Sequence, residues 1–234
     1  MAHNLAKKGL DVLLTYHTNK EAADTVISEV EALGGKAWAL QLDTSKAETF
    51  DAFVEEATQL MEEKRGSSKI DFLINNAGTG LYVGIPEVTE AQMNDLYEIH
   101  FKGPFFLTQK MLPHLNDGGG ILNISSGLTR ITMPGSSVYA SMKTAVETLS
   151  RYQAKELGPR RIRVNTLAPG AIETDFGGGR TRDNKEINST IAGFTALGRV
   201  GLPTDIGSVV AFLCTDEAGW INGQRLEVSG GQAI

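Results

Sequence analysis

At 234 residues, with 41% hydrophobic and 21% charged side chains, the chain has the size and balance of a soluble globular protein with one sizeable core. A formal net charge of −6, with no basic run longer than RRIR at 160–163, argues against nucleic acid as a partner; no apolar stretch approaches the ~20 residues that span a bilayer and no signal peptide opens the chain, so no membrane partner and a cytoplasmic location are expected. The single cysteine, Cys214 in VVAFLC, excludes an intrachain disulfide and reads as a buried structural thiol, and no metal site is expected.

The first predicted element is the end of an amphipathic helix over 2–8, with Leu5 as an apolar contact, Lys7 and Lys8 in the last turn, and Gly9 as C-terminal cap. A strand dense in Val, Leu and Thr follows at 10–16. Residues 19–33 read as a helix with Asn19 as N-cap and Ala23, Val26, Val30 and Leu33 on one face. A strand at 36–42, a helix at 45–63 with Phe50, Phe53, Val54, Ala57 and Leu60 together, and a strand at 70–75 continue the alternation. Helices at 90–114, 138–157 and 204–215 and strands at 120–125, 162–167 and 225–228 complete it. Without a composition break or internal repeat, this order predicts one α/β domain over 1–234: a Rossmann-like, doubly wound, mostly parallel sheet with helices on both faces. Ligands of such folds lie outside the carboxyl ends of the strands, where Tyr16 to Asn19, Asp43 and Thr44, Asn76 to Gly80, Ser125 to Gly127 and Pro169 to Thr174 stand.

Inside the 138–157 helix, Tyr139 and Lys143 are four residues apart and emerge on the same face. A phenol with a free pKa near 10 must fall by about three units, ~4 kcal/mol, to exchange a proton near neutrality, and a nearby ammonium supplies part of that. Thirteen residues before Tyr139, directly after a strand, lies Ser126 in NISSG, and the intervening LTRITMPGSSV is long enough to loop the hydroxyl back to the phenol. LINNAG ends one strand upstream and VNTLAPGAIETDF another downstream. In this order, with ALGRVGLPTDIG and the closing WINGQRLEVSGG, these motifs resemble the short-chain dehydrogenase/reductase family, and the tail is similar to bacterial carbonyl and 3-oxoacyl reductases.

The resemblance implies an NAD(P)-dependent oxidoreductase that interconverts a small-molecule carbonyl and a secondary alcohol by hydride transfer. Tyr139 would be the general acid/base, Lys143 would hold the nicotinamide ribose hydroxyls and depress the tyrosine pKa, and Ser126 would hydrogen-bond the substrate oxygen. Asn76, Ala77 and Gly78 would line the adenosine side and Asp43 and Thr44 the adenine. Pro169, Gly170, Ile172 and Thr174 would also meet the cofactor, the last two at the carboxamide. A homodimer or homotetramer through the 90–114 and 138–157 helices is implied too. The residues alone leave alternatives: Asn76 as a tie between strands, Asp43 as a cap for the 45–63 helix, Pro169-Gly170 as a plain turn. Ser125 reads as structural, because the thirteen-residue offset selects Ser126.

Two departures stand out. Where the family usually has an asparagine that helps hold a water next to the lysine, YEIHFKGPFF places His100, which can also hold a water and, at an unperturbed pKa of ~6.5, pass a proton. The second lies at the start: family members open with a strand and a T-G-x-x-x-G-I-G loop that cradles the cofactor pyrophosphate, whereas this chain begins inside the following helix, about twenty residues into the pattern. The GTGLYVG run at 78–84 is no substitute, since it overlaps NNAG and leads into no helix. The absent strand belongs between 10–16 and 70–75, and losing about five buried side chains forfeits on the order of 8 to 15 kcal/mol. An unfilled gap is therefore not expected: either residues precede Met1, or another segment or subunit occupies the place. As it stands, the chain is expected to bind its cofactor poorly.

The stretch TYHTNKE carries no carboxylate before Glu21, which favours NADP over NAD, with His17, Thr18 and Asn19 as donors to the 2′-phosphate. Residues 176–197 read as a mobile lid, and Leu128 and Arg130 as pocket-facing, with Arg130 pairing to a surface carboxylate as the equal alternative. The alternatives in function are a 3-oxoacyl-thioester reductase and a non-catalytic binding or scaffold subunit that has lost cofactor binding.

Overall fold

The computed structural model describes all 234 residues. In chain order the elements are α1 (Ala2–Lys7), β1 (Val12–Tyr16), α2 (Lys20–Ala32), β2 (Ala37–Gln41), α3 (Phe50–Arg65), β3 (Ile70–Asn75), α4 (Glu90–Tyr97), α5 (Gly103–Met111), β4 (Leu115–Ile124), α6 (Ser137–Glu156), β5 (Arg163–Pro169), α7 (Arg180–Asp183), α8 (Lys185–Gly193), α9 (Pro203–Leu213) and β6 (Arg225–Val228). Local chemistry accounts for the ends of several. Gly9, at φ +80°, reverses the chain after α1, and the Leu10 N–H returns to the Leu5 carbonyl. The Asn19 side chain accepts from the Ala22 N–H at the start of α2, and Thr89 and Gln92 form a reciprocal capping box on α4. No helix is long and apolar enough to cross a membrane.

All strand pairings within the sheets are parallel, and they fall into two sets: β1 with β2, and β3, β4, β5 and β6 in that order. The break between β1 and β3 lies where the family resemblance implies the absent strand. No other part of the chain enters it. Instead, a cavity of about 420 Å³ separates the two sets, lined by Leu10, Val12 and Leu14 on one side and by Phe72, Ile74 and Leu107 on the other. The expectation that another segment of these residues fills the place is thus corrected: β6 pairs with β5 at the far edge, and every other strand is engaged elsewhere.

Helices bridge the two sets. One core joins Leu5 and Ala6 of α1, Val12, Val30 and Ala37 from the two-stranded side, Leu122, Ile124 and Leu167 from the four-stranded side, and Ile206, Val210 and Leu213 of α9. Cys214 is buried in it, and burial pushes its thiol up to about 12, an inert group at neutral pH. On the opposite face Leu42, Phe50, Val54, Leu107 and Met111 pack α3 against α5. Two other expectations need correction. The 90–114 helix is interrupted at Glu98–Lys102 by a π-helical turn, and the 176–197 segment is no open loop but holds α7 and α8, the latter capped by Asn184.

Candidate active site

Helix α6 supplies one wall of the site. Tyr139, Lys143 and Glu147 follow one another at four-residue intervals on its buried face. Opposite them, β4 ends at Ile124, and the chain turns through Ser125 and Ser126 into a short 3-10 turn, Gly127–Thr129. Tyr139 is 7% exposed and Lys143 5%. The Lys143 ammonium donates to the Ile124 carbonyl at 2.8 Å and lies 5.8 Å from the centre of the Tyr139 ring. It has three donors and this one protein acceptor.

Burial pushes the Tyr139 phenol up to about 12, with the Ser126 hydroxyl pulling the other way, and pushes Lys143 down to about 8. The Lys143 ammonium gives its hydrogen bond to the Ile124 backbone carbonyl and not to the phenol, whose rise comes from desolvation. At neutral pH the phenol keeps its proton.

His100 sits in the π-helical turn, 1% exposed, its ring edge-on to Tyr139 at 5.2 Å. Its Nε2 is 2.7 Å from the Thr79 carbonyl, while Nδ1 is buried without a partner. Burial, then the nearby Lys143 charge, pushes it down to about 3. The imidazole is therefore neutral at pH 7, with its Nε2 engaged by the Thr79 carbonyl. Gly78 makes its position feasible: a Cβ there would stand 2.7 Å from His100 Cε1.

The remaining predicted residues divide between two ends of the molecule. Asn76, Ala77 and Gly78 are exposed just past β3, where Asn76 and Ala77, with Thr44, line the rim of the cavity. The tie between strands belongs instead to Asn75, whose amide donates to Asn123 Oδ1 at 2.7 Å and Thr108 Oγ1 at 3.1 Å. Asp43 accepts from the Ser45 backbone and hydroxyl, which hold its carboxyl below the usual range, and faces His17 at 3.5 Å. Thr18 and Asn19 are exposed, the latter engaged as the α2 cap. Gly170 packs against the C-terminal segment, where a Cβ would meet Ser229 at 2.9 Å; Pro169 ends β5, Ile172 bridges to Gly201, and Thr174 accepts from the Phe176 N–H.

Arg130 does not face the pocket, because Glu227 and the carbonyls of Gln232 and Ala233 take its guanidinium. The residues that do approach Tyr139 include two the sequence reading passed over. Phe176 lies 5.9 Å from it, ring to ring, and packs with Tyr82 around Gly80, while the Arg180 guanidinium covers Tyr82 at 5.4 Å. Their positions follow from loop paths after β3 and β5 that no periodicity encodes.

Comparison with known proteins agrees with this geometry. Residues 1–233 match a family model described as enoyl-(acyl carrier protein) reductase. A tetrahydroxynaphthalene reductase of Pestalotiopsis fici is 36% identical, over 99% of this chain and 85% of its own. Among solved structures, the promiscuous reductase LugOII, which catalyses keto-reduction at C1 during lugdunomycin biosynthesis, superposes with a TM-score of 0.94 at 36% identity, covering 100% of this chain and 92% of its own. The angucycline C-6 ketoreductase LanV with bound NADP gives 0.91 at 33%, with 98% and 90% covered. A short-chain dehydrogenase/reductase from Serratia marcescens gives 0.88 at 30%, with 100% and 93% covered. Matched from end to end by a family model and by relatives above 30% identity, with the serine facing the tyrosine and lysine across one site, this chain belongs to the short-chain dehydrogenase/reductase family and is an oxidoreductase.

Proposed function

We propose that this chain is an NADPH-dependent carbonyl reductase acting on aromatic ketones, with Tyr139 as general acid. The observation that carries the reading is the buried, protonated Tyr139 between Ser126 and Lys143, with the ring of Phe176 5.9 Å away on the open side. NADP, when bound as NADPH, supplies the hydride. The Tyr139 hydroxyl gives its proton to the carbonyl oxygen, and the Ser126 hydroxyl holds that oxygen by a hydrogen bond. Lys143, buried with donors to spare, suits the ribose hydroxyls of a nicotinamide nucleotide. His100, donating from Nε2 to Thr79, presents Nδ1 as an acceptor that would hold a water beside Lys143. Asn76, Ala77, Gly78, Asp43 and Thr44 would line the adenosine, His17, Thr18 and Asn19 the 2′-phosphate, and Pro169, Gly170, Ile172 and Thr174 the nicotinamide. The tetrahydroxynaphthalene and angucycline reductases among its relatives support an aromatic substrate. Exposed Met93, Tyr97, Phe105, Phe106 and Tyr152 on and beside α4, α5 and α6 support a homodimer or homotetramer through those helices.

The test is NADPH oxidation by the 234-residue chain at saturating cofactor, with α-tetralone against acetoacetyl-CoA. Reduction of the ketone in preference to the thioester is expected. The reverse preference would favour the 3-oxoacyl-thioester reading. Turnover of neither, with no heat of NADPH binding by calorimetry, would favour a scaffold. Binding is expected to be weaker than about 1 μM, because no amide cradle for the pyrophosphate lies among these residues.

A further inference from the structure

We propose that Glu147, with Arg225, is a positioning residue that holds the Ser126 hydroxyl opposite Tyr139; this rests on the reading that Ser126 and Tyr139 share the substrate oxygen. Glu147 is 9% exposed and lies one helical turn beyond Lys143. Its Oε1 accepts from the Ser125 hydroxyl at 2.6 Å, lies 2.8 Å from the Thr129 hydroxyl, and accepts from Arg225 Nε at 2.8 Å. Ser125 precedes Ser126 and Thr129 closes the turn that Ser126 opens, so one carboxylate oxygen grips the turn on both sides of the serine. Arg225 completes the grip from β6: one Nη donates to the Thr129 hydroxyl at 3.0 Å and to the Ser126 carbonyl at 3.4 Å. Inside the turn, Ser126 Oγ accepts from the Leu128 N–H at 3.2 Å. That bond uses a lone pair and leaves the hydroxyl proton on the side of Tyr139, where a substrate oxygen would sit between the two.

The arrangement places the carboxylate on the same rigid helix as the phenol. Ser126 otherwise sits on a turn, whose position relative to α6 depends on what ties the two together. Charge-assisted bonds to a buried carboxylate are among the stronger ties available. Removing the carboxylate leaves Arg225 paired with Glu227 at 2.9 Å, so the arginine keeps a partner.

Steady-state kinetics of Glu147→Ala, Ser126→Ala and the double variant tests the proposal. Glu147→Ala is expected to lower kcat about 10- to 100-fold with KM for NADPH unchanged, and to have less than about a twofold effect once Ser126 is alanine, because its action passes through that hydroxyl. Glu147→Gln, which keeps an acceptor oxygen, is expected to recover part of the loss. Equal losses in both backgrounds would overturn the proposal, as would no loss in either. Amide exchange read by NMR or mass spectrometry keeps it testable without turnover: Glu147→Ala should speed exchange at Leu128 and Thr129 about tenfold or more while amides of β4 and β5 stay protected. Unchanged protection at Leu128 would sink the positioning role whatever the activity. A parent that reduces no ketone, yet loses this protection in the variant, would instead count against the carbonyl-reductase reading.

Discussion

The two strand sets of this protein are built to different standards. From β3 to β6 every interior strand has a neighbour on both sides, and a buried polar chain runs through it: Thr108 to Asn75, Asn75 to Asn123, and Asn123 to Ser150 and Gln153. Beside it, β1 and β2 form a ribbon with one edge on the cavity, held mainly by what α1 and α2 bury. The residues of the proposed active site, Ser126, Tyr139, Lys143 and His100, all lie against the first region, whereas the residues expected to meet the far end of the cofactor, His17 to Asn19, Asp43 and Thr44, belong to the second. Chemistry that needs groups fixed to within about half an ångström has its place where backbone pairing and buried hydrogen bonds are complete.

The largest effect expected from breaking that division is on catalysis. Tyr139→Phe removes only the phenolic hydroxyl, and kcat for ketone reduction is expected to fall about 10²- to 10⁴-fold; a variant as fast as the parent would remove the phenol from the reaction. Next comes acid stability. His100 titrates near 3 when folded and near 6.5 when unfolded, so between these values the unfolded chain binds a proton that the folded chain excludes. Its contribution is complete above pH 6.5 and is lost as pH falls toward 3, about 5 kcal/mol in full. Thermal melts from pH 7 to 4 are expected to fall less steeply for His100→Asn than for the parent, and parallel curves would place the titration elsewhere.

A packing pair sharpens the contrast. Leu167 on β5 is fully buried, and Leu167→Ala is expected to cost 2–5 kcal/mol in urea unfolding. Leu14, already bordering the cavity, has less to lose, and Leu14→Ala is expected to cost about 1 kcal/mol. Equal costs would mean that the cavity is closed in solution. The smallest effect is dynamic: amides of β1 and β2 are expected to exchange about 10- to 100-fold faster than those of β4 and β5, because the ribbon can open without the rest. Uniform protection would make the two regions one cooperative unit.

Much of this was legible beforehand. Alternation of apolar runs and helical periodicity placed the strands and the main helices, since period 2 and period 3.6 follow from backbone geometry alone. The four-residue step from Tyr139 to Lys143 was readable for the same reason, and one further step reaches Glu147, though nothing local says that a carboxylate there meets Ser125 and Thr129. The Asn75 and Asn76 pair shows the limit. Both follow the same apolar run, and only the register of β3 on β4 turns the first inward to Asn123 and leaves the second exposed.

What the sequence by itself determined, then, is the element order and the residue types at the strand ends, because these depend on local spacing; the place of the break between β1 and β3 came only from the family resemblance. Tertiary structure alone decided the protonation of Tyr139 and His100, the diversion of Arg130 to Glu227, and the approach of Phe176 and Tyr82 to the site. Each of those depends on how much water and which charges remain around a group once distant segments close over it, and desolvation has no signature in a one-dimensional pattern.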